Sequence, residues 1–164
     1  MSGTTALDPD KLADYMRQAV VLSATEVARG GIPFAGIVVH PDKGVLGRGV
    51  NRVLELGDPT AHAEIVALRD AAQNPDNAPD LGACAMLASG EPCGMCYRYI
   101  LNAGITTIFY AIDRDEAAQH GFDYRRSYRT LGQDPRFDPE VTVQRLLVDD
   151  ARHPFTSWLA RNAR

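Results

Sequence analysis

ACAMLASGEPCGMCYRYILNAGITTIFYA, residues 83–111, joins two short apolar runs through a segment of helical character. The runs at 83–89 and 106–111 are typical of buried strands, because they are nearly continuous in apolar residues and too short for core helices. The segment 93–103 between them predicts a helix. This strand–helix–strand unit predicts the centre of an α/β domain.

The segments on either side continue the alternation of strands and helices. In chain order we expect a helix at 9–29, strands at 34–40 and 45–50, a helix after residue 60, the unit at 83–111, a strand at 141–148 and a helix at 154–162. Residues 113–139 are expected to be a long irregular stretch. The pattern predicts one domain, residues 1–164, with a three-layer α/β/α fold and a mixed central sheet.

The overall composition is that of an ordinary globular domain. The chain has 164 residues, of which 45% are apolar and 23% charged, and its net charge is −4. This charge argues against nucleic acid as a partner, since Arg125, Arg126 and Arg129 form the one candidate basic patch and a solvated loop or a subunit contact explains it equally well. No secretory signal and no apolar stretch of about 20 residues is seen, so no membrane association is expected. Three cysteines are a poor disulfide framework, and we expect a cytoplasmic protein.

Two short motifs carry the candidate chemistry, HAE at 62–64 and PCGMC at 92–96. Cys93 and Cys96 are three residues apart at a predicted helix start, so their sulfurs leave the same side of the first turn. The positive end of the helix favours thiolates. With His62 they offer zinc three ligands and leave one position open, which is typical of catalytic rather than structural sites. We therefore predict one Zn²⁺ per chain, with a water that becomes nucleophilic near neutral pH.

Glu64 is the predicted proton carrier of this site. Its carboxylate could take a proton from the zinc-bound water, hand it to a ring nitrogen and then protonate a departing amine. Two other interpretations of the cysteines are open. Cys84 could be a fourth, closing ligand, although a thiol in a core strand is commonly inert packing. Cys93 and Cys96 could form a thioredoxin-like redox pair, but the usual local context is missing. The two motifs in this order match the H-x-E…P-C-x-x-C signature of zinc nucleobase deaminases.

The chain resembles the cytidine deaminase superfamily over nearly its whole length. The segments that carry this resemblance are GGIPFAGIVV, GVNRV, DPTAHAEI, SGEPCGMC and AGITTIFY, which look like the guanine deaminase and cytosine deaminase branches that act on free bases. GFD at 121–123 and PFTSW at 154–158 are similar to the guanine deaminase branch in particular, whereas LGRGVN also resembles fungal cytosine deaminases. The resemblance implies a cytidine-deaminase-like fold and a homodimer.

The resemblance also implies roles for residues outside the two motifs. Asn51 matches an asparagine whose amide binds the edge of the base, because it offers a donor and an acceptor together. Phe34 matches an apolar wall against the ring. The backbones of Ala63 and Glu91 are expected to line the pocket.

Near the end of the chain the resemblance is incomplete. Asp123 matches the first acidic residue of the guanine deaminases' GFDD segment, but the next position, a substrate contact in those enzymes, is Tyr124 here. A phenol in place of a carboxylate changes which ring hydrogens can be accepted, so the preferred base stays open. Trp158 lies in the segment that covers the partner's site in the guanine deaminase branch, which makes 154–164 a candidate C-terminal helix or lid.

The leading hypothesis is zinc-dependent hydrolytic deamination of a free nucleobase or a related amino-heterocycle such as an amino-triazine. A transfer-RNA adenosine deaminase is the main alternative, opposed by the acidic net charge. A free-nucleoside, cytidine-type deaminase and a non-enzymatic zinc protein are the others; retention of Glu64, which is no ligand in this scheme, argues against the last.

Overall fold

A five-stranded mixed sheet forms the centre of the molecule. The computed structural model describes residues 6–74 and 81–163, and the sheet has the strand order β2-β1-β3-β4-β5. β1 pairs antiparallel with both β2 and β3, whereas β3–β4 and β4–β5 are parallel. The strands are β1 (Ala35–His40), β2 (Gly44–Val50), β3 (Ala85–Gly90), β4 (Thr107–Ile112) and β5 (Thr142–Arg145).

Helices cover both faces of this sheet. In the described residues they are α1 (Pro9–Ala28), α2 (Val53–Leu56), α3 (Ala63–Gln73), α4 (Gly94–Asn102), α5 (Arg114–Gln119) and α6 (His153–Asn162). Short 3-10 helices occur at Leu81–Ala83, Arg125–Thr130 and Pro135–Phe137. None of the helices in 6–74 and 81–163 combines the length and apolarity needed to span a membrane.

Alternating strand residues divide the core into two halves. In β3, Leu87 packs with α1 and α6, while its neighbour Met86 points to the opposite face and packs with α3 and α4. Successive side chains of a strand leave opposite faces, so each central strand contributes to both halves. Both faces of β1, β3 and β4 are buried, which explains why these three strands are nearly continuous in apolar residues. The predicted three-layer α/β/α fold with a mixed sheet is confirmed.

The stretch 113–139 is more regular than the sequence analysis predicted, and the expectation of an irregular segment was wrong. It contains α5 and two of the 3-10 helices. Asp113 caps α5 by accepting a hydrogen bond from the backbone N–H of Glu116 at 2.8 Å. An aspartate followed three residues later by a glutamate is a helix-start signal that could have been used. The late strand is also shorter than expected, because only Thr142–Arg145 pairs with β4.

The close approach of α3 to β2 positions the first turn of α3. A Cβ atom at Gly49 would lie 2.4 Å from the carbonyl oxygen of Ala63 and 2.4 Å from the backbone nitrogen of Ala67. Only glycine permits this distance. The start of α3, which carries the HAE motif, is therefore held against the sheet by the packing of backbone on backbone.

Candidate active site

The HAE motif lies where an extended segment turns into α3. His62 is the N-cap residue, with an extended backbone (φ −69°, ψ 159°), and Glu64 lies in the first turn. Because His62 is outside the helical geometry, a separation of two residues does not place the two side chains on different faces. Both line the same cavity, and Glu64 is only 4% exposed.

The two cysteines lie at the start of α4, directly after β3. Cys93 is the N-cap residue, also extended (φ −70°, ψ 173°), and Cys96 is in the first turn and fully buried. Only three residues separate β3 from α4. Both sulfurs therefore lie at the edge of the sheet where the parallel strands have their carboxyl ends. Ligand sites in α/β sheets are commonly formed at this edge.

The ligand atoms have the spacing that a tetrahedral zinc site requires. The Sγ atoms of Cys93 and Cys96 each lie 3.5 Å from Nδ1 of His62. With Zn–S of about 2.3 Å and Zn–N of about 2.0–2.1 Å, tetrahedral angles require an N···S distance of about 3.6 Å. In the described residues these three form the one group of His, Cys, Asp and Glu side chains able to hold a metal. Cys84 is not part of it and packs in the core.

The electrostatics of the site favour an ionised thiol beside a carboxyl group that titrates near neutrality. The hydrogen bond with Cys96, together with His62, lowers the pKa of Cys93 to about 4. Burial, reinforced by the negative charge of Cys93, raises the pKa of Glu64 to about 7. A bound divalent cation would oppose the shift of Glu64, since it favours the carboxylate. A carboxyl group in this range can both accept and release a proton.

These groups face a small cavity of about 170 Å³. Besides His62, Cys93 and Glu64, five of the residues expected to contact substrate contribute to its wall. Ile32 and Phe122 also line it and were not anticipated. The full lining is Ile32, Phe34, Asn51, His62, Ala63, Glu64, Glu91, Cys93, Phe122 and Tyr124.

Asn51 and Phe34 contribute a polar and an apolar part of this wall. The Oδ1 atom of Asn51 accepts a hydrogen bond from the backbone N–H of Val53 at 3.2 Å. Within 6–74 and 81–163 its Nδ2 amide has no hydrogen-bond partner and is available as a donor. Phe34 is held by edge-on contacts with Phe122 and Phe155, with ring centroids 5.1 Å and 5.4 Å apart.

Asp123 and Trp158 do not line the cavity. Asp123 is exposed and pairs with Arg125 at 2.8 Å. Trp158, in α6, packs on Phe122 with a centroid distance of 4.3 Å, so one ring separates it from the cavity. Phe122 could have been suspected from its place in the GFD segment.

The segment 124–128 makes three hydrogen bonds to residues 91–94, here called the cysteine loop, that the sequence did not predict. The hydroxyl of Tyr124 donates to the carbonyl oxygen of Glu91 at 2.6 Å, and that of Tyr128 donates to the carbonyl oxygen of Pro92 at 2.7 Å. The hydroxyl of Ser127 accepts from the backbone N–H of Gly94 at 2.8 Å, which satisfies a free donor at the start of α4. These bonds fix the loop that carries Cys93.

A buried ion pair holds the same loop from the other side. The carboxylate of Glu91, whose side chain is fully buried, accepts from Nη2 of Arg114 at 2.7 Å and from Nε at 3.0 Å. It also accepts from the hydroxyl of Tyr97 at 2.9 Å. Arg114 reaches Asp134 at 2.8 Å and stacks over the ring of Tyr128 at 3.4 Å. The side chain of Glu91 is thus structural, and only the rest of the residue is available to the cavity.

Comparisons with known proteins agree with this geometry. Residues 9–112 match the sequence model of the cytidine and deoxycytidylate deaminase zinc-binding region. The guanine deaminase of Bacillus subtilis is 32% identical over 145 residues, which are 88% of this chain and 91% of that protein. The tRNA-specific adenosine deaminase of Haemophilus influenzae is 37% identical over 121 residues, 71% of this chain and 69% of that protein.

The solved structures include a similar protein with a bound base analogue. The crystal structure of a mutant of the protein NE0047 in complex with 8-azaguanine superposes with a TM-score of 0.77 and 30% identity, covering 95% of this chain and 86% of that one. The match extends well beyond the metal motif. The chain is therefore a zinc-dependent hydrolytic deaminase, and it belongs to the cytidine and deoxycytidylate deaminase family that shares this zinc-binding region.

Proposed function

We propose that this chain hydrolyses the exocyclic amino group of a free nucleobase or a closely related amino-heterocycle, releasing ammonia and leaving a carbonyl group on the ring. The observation that carries the proposal is a single cavity whose wall holds His62, Cys93 and Glu64 together with the aromatic ring of Phe34. A flat heterocycle packed against Phe34 can present its amino carbon to these polar groups. The guanine deaminase relative and the bound 8-azaguanine of NE0047 support the same substrate class.

Zinc held by His62, Cys93 and Cys96 would supply a Lewis acid that makes water nucleophilic near neutral pH. Glu64 accepts the proton that this water loses and delivers it to the ring nitrogen. Once the oxygen has added to the amino carbon, the same carboxylate would take the remaining proton of that oxygen and give it to the amino group as the C–N bond breaks, which leaves a carbonyl group and ammonia. The burial of Glu64, which is only 4% exposed, keeps bulk water away from the transferred protons.

The size of the cavity favours a base over its nucleoside. Pockets that enclose drug-sized ligands measure roughly 300–1,000 Å³, whereas this one measures about 170 Å³. A ribose would have to lie outside it. The proposed substrate is therefore a single flat ring system, and free bases are expected to react much faster than nucleosides.

A transfer-RNA adenosine deaminase is the second candidate, and the 37% identity to the Haemophilus influenzae enzyme favours it. The exposed side chains of Arg126 and Arg129 border a surface depression that could meet a phosphate. However, Arg125 beside them is already paired with Asp115 and Asp123. An enzyme that binds RNA through phosphate contacts loses activity steeply with salt, whereas turnover of a neutral base does not.

The expected homodimer, the single domain of residues 1–164 and the lid at 154–164 remain proposals. The contact of Trp158 with Phe122 supports a lid role, because movement of this tryptophan would release a residue of the cavity wall. Size-exclusion chromatography with light scattering tests the dimer directly.

The deciding experiment is an ammonia-release screen over guanine, cytosine, isocytosine, adenine, amino-triazines and the corresponding nucleosides, with a transfer-RNA anticodon stem-loop as the competing substrate. We expect turnover of one or more free bases. Glu64→Gln keeps the shape of the side chain but cannot shuttle protons, so zinc content should stay and turnover should fall by roughly a hundredfold or more. Turnover of the stem-loop alone would support the second candidate. Loss of zinc from Glu64→Gln would mean that Glu64 is structural or a ligand, and would refute its role as the proton carrier.

A further inference from the structure

The hydrogen bond between Tyr124 and Glu91 determines what Tyr124 can offer a substrate. The acceptor of this 2.6 Å bond is a backbone carbonyl, which has no proton to give. The phenol must therefore be the donor. A phenol has one proton, so once that proton is committed, only the lone pairs of its oxygen remain for another partner.

This bond lies in the wall of the candidate active site. Tyr124 and Glu91 both line the cavity, and the ring of Tyr124 is also held edge-on against Phe34 at a centroid distance of 6.0 Å. Burial raises the pKa of Tyr124 well above its ordinary value, so the proton stays on the phenol at working pH. The orientation of the oxygen is thus set before any substrate arrives.

We propose that Tyr124 is a specificity-determining residue whose phenol oxygen accepts a hydrogen bond from a ring N–H of the substrate. Asn51 adds a donor of complementary polarity, because its Oδ1 already accepts one hydrogen bond from Val53 while its Nδ2 amide is left to donate. The site is therefore matched to a heterocycle of the lactam type, one that carries both a ring N–H and a ring nitrogen or carbonyl acceptor. A base with an unprotonated acceptor facing Tyr124 would meet only lone pairs and is disfavoured. The inference rests on the proposed function, since it concerns the substrate of the same site.

Tyr128 provides a matched control for this role. Its hydroxyl donates to the next carbonyl of the same loop, that of Pro92, at 2.7 Å. Tyr128 does not line the cavity. Tyr124→Phe and Tyr128→Phe each remove one hydroxyl and one hydrogen bond to the cysteine loop at 91–94, but only Tyr124 lines the cavity.

The experiment measures binding and turnover separately. In the zinc-loaded Glu64→Gln background, calorimetry compares guanine with 1-deazaguanine and with 9-methylguanine, each of which lacks one ring N–H. We expect Tyr124→Phe to weaken the binding of guanine by about tenfold and to leave the affinity for one of the two analogues unchanged, so that the discrimination between them falls by the same factor. In the active enzyme the ratio of kcat/KM values for guanine and 9-methylguanine is measured alongside.

Two results would overturn the inference. One is a ratio of the affinities for the two analogues that is the same in Tyr124→Phe as in the protein with Tyr124. The other is an equal loss of affinity for guanine in Tyr128→Phe, which would mean that the hydroxyl of Tyr124 only holds the loop. Failure of the proposed function has a different signature, because a wild-type protein that releases ammonia from no free base would refute that function while the binding ratios still test Tyr124.

Discussion

Replacing Arg114 with methionine tests the buried ion pair behind the active site. The side chain of Arg114 is 8% exposed and that of Glu91 is fully buried, so removing the cation leaves a carboxylate in the interior. Methionine retains the apolar contact with the ring of Tyr128 and isolates the electrostatic loss. Glu91 keeps the bonds from the hydroxyl of Tyr97 and from the backbone N–H of residue 114, but loses those from Nε and Nη2.

The expected cost is large in relation to the stability of a domain. Breaking a buried pair by removing one partner costs about 3–5 kcal/mol, against a total free energy of unfolding of about 5–15 kcal/mol. With a urea m-value of about 2 kcal/mol/M, the unfolding midpoint should fall by about 2 M. The assay is urea unfolding followed by circular dichroism, with the same free zinc concentration for each variant, because zinc binding adds to the measured stability.

Arg136→Met is the matched control. Arg136 pairs with the same Asp134 at 2.9 Å but its side chain is 32% exposed, and exposed pairs contribute about 0–1 kcal/mol. The double variant Arg114→Met/Glu91→Gln no longer buries an unpaired carboxylate. Its decrease in the free energy of unfolding should therefore be smaller than the sum of the two single decreases by about 0.5–3 kcal/mol. Equal losses in Arg114→Met and Arg136→Met, or strict additivity in the double variant, would refute the reasoning.

Two further predictions concern the metal and the terminal helix. Cys93→Ala should lose zinc and turnover together, as measured by metal analysis and ammonia release; a variant with full zinc and full turnover would contradict the assignment of this ligand. Phe155→Ala should lower the free energy of unfolding by about 3–5 kcal/mol, because the ring is fully buried against Phe34, whereas Leu159→Ala, at a side chain 37% exposed, should change it by less than about 0.5 kcal/mol. Similar losses for both variants would show that α6 is not anchored through Phe155.

The fold class was accessible from the sequence because its signals are local. The runs at 83–89 and 106–111 are nearly continuous in apolar residues, which indicates strands buried on both faces. The candidate metal ligands could be predicted for the same reason. Cys93 and Cys96 lie at the start of one helix, and His62 and Glu64 at the start of another, so the placement of each pair depends on geometry within a few residues.

Other features depended on partners far apart in the chain. Arg114 follows Glu91 by 23 positions, and nothing in either neighbourhood specifies the pairing. Ser127 caps a helix that begins 33 residues earlier, and the closeness of the two backbones is visible only in the 2.2 Å that would separate a Cβ at Gly94 from the carbonyl oxygen of Ser127.

The sequence by itself determined the alternation of strands and helices, the zinc-binding motifs and the nearby Glu64, since these follow from periodicity and short spacing. Only the tertiary structure decided which polar groups face the cavity and which are already paired with other groups of the protein. Asp123 was as plausible a substrate contact as Tyr124 in the sequence, yet the former is paired on the surface and the latter lines the cavity. The physical reason is that the role of a polar side chain depends on the group it hydrogen-bonds to. For residues 91, 114, 124 and 127 that group lies far away in the chain and is brought close by the order of the strands in the sheet.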